Sequence, residues 1–555
     1  MLLPLFASLA VFALTVLGLA WPLAARLTLD PAEKLTASVL LSLLGVYLFA
    51  FATFVAGLPP VVHWALPLLA VAGLFFRRAE LIATLRDADV KNLLISQGLV
   101  AAWCVGWLFF IASYSGGGWA GDWAEHWERA RFFVERLPLD TKFLGSYALP
   151  ARPPLANLVT GAFLALSSAS YAQYQLFTAL LNALAFLPAA LLARRFGGSR
   201  AIAVLAALLL VSPCFVENAT FAWTKLITVM WVLGGLYFFL RARDSDAPPA
   251  AAPLCAAALA AGILTHYSAV PYALLLALAW LLWPPRFRPA VFALSAALLL
   301  TWFGWSLAAY GASTTFLSNS SVTSHDAQHG NQLLKIALNL RDTVVPHFLR
   351  SPDAAFIAQR SPWGWWRDWF FQLYQVNLLF VFGSVGWLVL SIELVRRWRT
   401  FATRSRAFWL LFAGGGIFLG IAVHGARDTW GLAHICLQTI VVLGLAVLAA
   451  AWAQLSRSWR LALIAGATLD FVLGIALQFG AQSYLLDRWL APGRDSADTL
   501  TSYNGVALLN LGGKIRNHLA FFTDVFPAPP ALVLALLAAV LMLALVRARL
   551  QPSAP

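Results

Sequence analysis

Between Gly121 and Leu155 the chain gathers side chains that could move a proton and hold a phosphate. Asp122, Glu125 and His126 fall in the run GDWAEHWERARFFVERLPLD, and Arg152 follows in Ala151-Arg152-Pro153-Pro154-Leu155. On a helix, positions three and four apart are neighbours, so Asp122 shares a face with both Glu125 and His126. Two carboxylates and an imidazole so placed can deprotonate a hydroxyl or amine acceptor. A plainer role fits too: Asp is a preferred helix cap, and Glu three residues on completes a capping-box-like pair. Arg152 precedes two prolines and is therefore held out of helical geometry. Beside the start of a short apolar helix over 155–168, its guanidinium could clamp a phosphate in bidentate fashion. The alternative is an arginine that snorkels at a membrane interface.

Fainter signals lie downstream. Lys225 closes the turn Ser212-Pro213 to Thr224, where an ammonium suits a phosphate as a point charge or anchors the chain at an interface. His266 and Tyr267 end an apolar run ahead of Pro271. His424, Arg427 and His434 bracket HGARDTWGLAH, a composition suited to a pyrophosphate or sugar phosphate. The two histidines are ten residues apart with no Cys or Glu between, which is not the spacing of a metal site. Asp470 stands mid-run in LALIAGATLDFVLGIAL. A carboxylate there costs about 2.5–3.5 kcal/mol on insertion scales and requires a partner or a water-filled path. SPWGWWRDW, 361–369, reads as an interfacial aromatic belt or a platform for sugar or lipid. The four cysteines lie in or beside apolar runs without a Cys-x-x-Cys pair, as buried thiols do. No metal ligand set and no cofactor is indicated, although a divalent cation is compatible with the chemistry.

These residues must be positioned by membrane helices. Hydrophobic residues make up 61% of the 555 and charged residues 11%, against about 45–50% and 25% in soluble chains. That balance excludes an ordinary soluble enzyme and a disordered chain. The fold expected is all-α: one polytopic integral membrane domain over 1–555 with about fifteen transmembrane helices. It comprises N-terminal spans over 1–113, an outer loop over 114–172 and core spans over 173–310. Two further outer loops, 311–370 and 479–529, flank C-terminal spans that begin at 371. The first run, Leu2 to Ala24, reads as a retained span rather than a signal peptide.

The net charge of +14 is not a nucleic-acid signature, because the basic residues fall in short clusters between apolar runs. The loops 25–35, 77–91, 194–200, 241–249, 285–288, 395–406, 454–460 and 547–555 hold 22 of the 38 Lys and Arg. That bias puts them in the cytoplasm, with the N-terminus and the three long loops outside and the C-terminus inside. The expected location is the inner membrane of a bacterium, with chemistry at the outer face. The stretch from Gly121 should be an amphipathic helix on the membrane surface, with Trp123, Trp127, Phe132, Phe133 and Leu137 as its apolar face.

This layout resembles the GT-C membrane glycosyltransferases, most of all the branch of the lipid A aminoarabinose transferase and the protein O-mannosyltransferases. That branch has Asp-Glu-x-x-Tyr-x-x-x-x-Arg, then Lys- or His-Pro-Pro-Leu. Here the corresponding residues are Asp122, Trp123, His126 and Arg131, then Arg152-Pro153-Pro154-Leu155. Trp123 replaces the second acid, His126 the tyrosine, and Arg152 the lysine or histidine. The resemblance implies Asp122 as the base for the acceptor and Arg152 as a contact to the donor phosphate. Glu125 would take over any task of the second acid. The substrate contacts expected are His126, Arg131, Arg152, Lys225, His266, Tyr267, His424 and Arg427. The implied partners are a polyprenyl-phosphate sugar donor, membrane lipid, and a lipid, glycan or protein acceptor. The competing expectation is a secondary transporter or flippase for a lipid-linked or small polar substrate.

Overall fold

Apolar runs in a bilayer must satisfy their backbone internally, which selects helices. The computed structural model describes residues 2–111, 122–143, 147–282, 289–319, 330–350, 370, 373–398, 403–427, 431, 438–480 and 520–550. Ser361–Trp369, His434, Cys436 and most of 479–529 lie outside the described residues. Among the described residues regular structure is helical, apart from one isolated bridge between Phe143 and Tyr147.

The all-α, multi-pass expectation is borne out. Seven described helices are long and apolar enough to cross a membrane, eight if a bent pair counts as one span. The expected fifteen crossings are not reached by that measure, because several runs fold as apolar helices of 10–17 residues, among them Ala251–Thr265 and Gln438–Gln454.

The basic loops meet at one end of the bundle. Asp30 caps the long helix Pro31–Val55 by accepting from the Glu33 N–H, and Glu33 returns the bond to the Asp30 N–H. Arg194 pairs with Asp30 and Asp89, and Arg241 reaches Glu33 at 3.1 Å. Arg547 donates to Asn92, and Asn92 donates to the Ser199 carbonyl. The Asp122–Glu135 helix lies at the opposite end: Arg136 donates to the carbonyl of Thr53, near the other terminus of Pro31–Val55. Five of the loops assigned to one side by their charge, 25–35, 77–91, 194–200, 241–249 and 547–555, therefore share a face through their described residues.

Two local features carry the chain to the site. Ser212 and Pro213 bend Arg200–Val211 against Pro213–Thr220 by 73°. Ser212 caps the second piece from its Oγ, and Pro213 sits in its first turn, where no N–H is needed. The chain then runs through Phe221–Thr224 into the helix Lys225–Arg241. The second feature is the contact of Asp122–Glu135 with Leu155–Ala165. A Cβ on Gly161 would stand 3.0 Å from the Ala130 carbonyl oxygen, so only glycine permits this approach without displacement. Phe54, Phe132, Phe133 and Phe143 pack together beside it with centroids 5.1–5.8 Å apart, Phe54–Phe132 tilted and the other pairs edge to face.

Candidate active site

The amphipathic helix buries more than its aromatic face. Trp127, Phe132 and Phe133 are buried as expected, and so are Glu125, His126 and Arg129. The helix is thus seated on protein. Its polar stripe points inward because every member of that stripe has a partner there.

Glu125 is the hub. Arg129 Nε donates to its Oε1 at 2.9 Å, and Arg129 Nη2 lies 2.7 Å from the same oxygen. Arg152 approaches both carboxylate oxygens at 3.3–3.4 Å. Burial alone would raise the Glu125 carboxyl, but Arg152 and then Arg129 outweigh it and hold it down at about 2. Arg129 also donates to the carbonyls of Leu149 and Ala148, and its guanidinium stacks 4.3 Å from the Phe143 ring. Those bonds tie the Leu149–Ala151 turn to the helix. The turn presents Arg152 in the extended geometry its prolines demand, φ −128° and ψ 140°.

Asp122 is differently placed. Its Oδ2 accepts from the indole N–H of Trp223 at 3.2 Å. Burial raises its proton affinity, Arg152 opposes that, Glu125 adds to it, and Lys225 and the Trp223 bond oppose it in turn; the balance leaves the carboxyl above its ordinary range. Lys225 stacks its ammonium 4.5 Å from the Trp223 ring. His126 Nδ1 pairs with Asn157 Oδ1 at 3.2 Å, and burial lowers the ring to about 4, so it is neutral at pH 7. His266 Nδ1 accepts the Ser268 N–H at 3.1 Å, and the charges of Lys225 and Arg152 act on its ring. Tyr267 donates to the Pro150 carbonyl beside Arg152.

Asp122, Glu125, His126, Arg152, Lys225, His266 and Tyr267 therefore converge. Three expected contacts go elsewhere. Arg131 pairs with Glu135 at 2.7 Å and stacks on Trp127. It is nine positions from Asp122, half a turn round the helix and away from the cluster. Arg427 joins a second cluster, in which Asp342 also meets Arg341 and Arg350. His424 bonds the Ala426 carbonyl, and its own carbonyl accepts from Lys335, although Lys225 stays within electrostatic reach. Arg129, Asn157 and Trp223 were not expected. Only Arg129 had a signal in the sequence, its i,i+4 spacing from Glu125.

Arg129, Arg152 and Lys225 face Asp122 and Glu125, so the cluster holds one positive charge in excess. Such a site can accept an anion beside a carboxylate able to take a proton. Among the described residues no group of three or more His, Cys, Asp or Glu is gathered as a metal site would require. Residues 151–307 match the family model described as dolichyl-phosphate-mannose-protein mannosyltransferase. The resemblance to GT-C membrane glycosyltransferases holds over that segment. It takes in Arg152, Lys225, His266 and Tyr267, while Asp122 and its helix precede it. Two crystal structures of ArnT from Cupriavidus metallidurans are similar to the chain. The form bound to undecaprenyl phosphate is 17% identical, covering 83% of this chain and 77% of that one with a TM-score of 0.48. The apo form is 19% identical, covering 82% and 75% with a TM-score of 0.45. No curated protein matches.

Proposed function

We propose that the protein is an inverting glycosyltransferase that moves a sugar from a polyprenyl phosphate to an acceptor at the outer face of the inner membrane. The observation that carries this is the pairing of Asp122, a carboxyl of raised proton affinity, with the cations Arg152 and Lys225 around it. The donor class follows the matched family description, which names a sugar carried on a polyprenyl phosphate.

The acceptor hydroxyl attacks the anomeric carbon and gives its proton to Asp122. The bond from that carbon to the phosphate oxygen breaks, and the lipid phosphate leaves with the electron pair. Arg152 and Lys225 stabilise the growing negative charge on the leaving group. Glu125, already engaged by two guanidiniums, holds Arg152 in place, and Asp122 takes the proton. The test is to incubate the purified protein with radiolabelled polyprenyl-phosphate sugars and acceptor lipids and follow release of the lipid phosphate. Release by wild type and none by Asp122→Asn is the expected result. Movement of intact donor between leaflets without release, across a broad donor panel, would instead identify a carrier.

A further inference from the structure

The turn between Thr220 and Lys225 is built under strain. Ala222 has φ 63°, in the left-handed region that a residue with a Cβ rarely occupies. Such a conformation persists only where its surroundings over-determine it. Tyr174 donates to the Ala222 carbonyl, and the Phe221 ring packs 4.3 Å from that of Trp223. The result is a fully buried indole whose N–H meets Asp122 Oδ2 and whose face carries the Lys225 ammonium.

We propose that Trp223 is the positioning residue of the reaction, orienting the Asp122 carboxylate through its N–H and linking it to Lys225 through its ring; this rests on the reading of Asp122 as the base. With one oxygen fixed by the indole, the other is the one presented to the acceptor. A cation over an indole face draws electron density from the ring and strengthens the N–H as a donor. Lys225 therefore acts on Asp122 through Trp223 as well as through space. The charged groups facing Asp122 are Glu125 from its own helix, Arg152 from the Pro-Pro turn and Lys225 from the helix Lys225–Arg241.

Trp223→Phe keeps an aromatic face for Lys225 and removes the donor, at the cost of a smaller ring in the same buried place. Loss of a hydrogen bond to a charged group should lower kcat roughly tenfold to a hundredfold, with the donor KM little changed. Because the lost bond favoured the ionised carboxylate, the acid limb of the kcat/KM profile should move to higher pH. A merely structural tryptophan would leave that limb in place. A second measurement needs no turnover: NMR of the ¹⁵N-indole-labelled protein in nanodiscs. The cross-peak absent from Trp223→Phe is that of Trp223; in wild type it should titrate with pH, and in Asp122→Asn it should not. A cross-peak that ignores both pH and Asp122→Asn overturns the proposal, as does full kcat with an unmoved limb in Trp223→Phe. If the cross-peak titrates through Asp122 but no donor is ever turned over, the positioning holds and the glycosyltransferase reading falls.

Discussion

Asp122 and Glu125 sit one helical turn apart, yet their surroundings make them different acids. Burial raises one, while two guanidiniums hold the other at about 2. Asp122→Asn should keep the fold and lower transfer at least about a hundredfold, the scale of a lost general base. Wild-type kcat/KM should fall as pH drops through the raised Asp122 value, above the ordinary carboxylate range, and a rate profile checks this. Glu125→Gln should instead strike stability. It leaves the buried Arg129 and Arg152 without their carboxylate, a loss of about 3 kcal/mol or more, read from thermal unfolding in detergent. Because Glu125 is depressed from 4.5 to about 2, its contribution to stability is whole above pH 4.5 and is lost as pH falls through 2. Residue types and spacing exposed Asp122, Glu125, His126 and Arg152 in the sequence because they lie within about 30 positions of one another. Trp223 was not legible, since its role depends on a left-handed Ala222 that no local pattern announces.

At the scale of elements, the site is a junction of the Asp122–Glu135 helix, the Pro-Pro turn and the bent Ser212-Pro213 segment. Arg152 belongs to the turn. Arg152→Lys should retain part of donor use and Arg152→Ala less, because lysine keeps the charge and loses the fork; donor titrations of the two variants test this. Gly161 fixes how closely the amphipathic helix seats. Gly161→Val should push it off the Ala130 carbonyl, lowering the unfolding temperature and opening the helix to protease. The helix itself was readable from periodicity, and so was the Ser-Pro turn. The inward direction of its polar stripe was not, because Arg129 is neutralised by groups from the Leu149–Ala151 turn rather than by its own helix alone. The departure of Arg131 to the far side was in principle readable from its nine-residue spacing. That of Arg427 was not, because its partner Asp342 lies 85 positions away.

At the scale of the whole molecule, charge and hydropathy made legible the class of fold and the common face of five of the basic loops. The number of crossings was less legible, since helices too short to span alone still pack among longer ones. In a background free of other cysteines, Leu139→Cys should react with an impermeant thiol reagent in intact cells, and Asp246→Cys only after permeabilisation. The reverse would invert the topology and the site with it. Asp470 is satisfied where it lies: Tyr374 donates to Oδ1 at 2.9 Å and the Ser384 N–H reaches both oxygens. Asp470→Asn should accordingly keep most transfer, assayed as lipid phosphate release. The fastening of the basic end also bears on biogenesis. The helix Pro530–Leu550 bonds Arg547 to Asn92, across 455 positions, receives Arg200 at the Ala548 carbonyl, and sets Leu537 against Gly106. Translation delivers this helix after all of those partners are already in the bilayer. Until it arrives, the faces of Ala88–Leu108 and Arg200–Val211 that it covers lack their partner, and its docking closes that side of the bundle. A chain stopped at residue 529 would present those faces to membrane proteases for its whole lifetime.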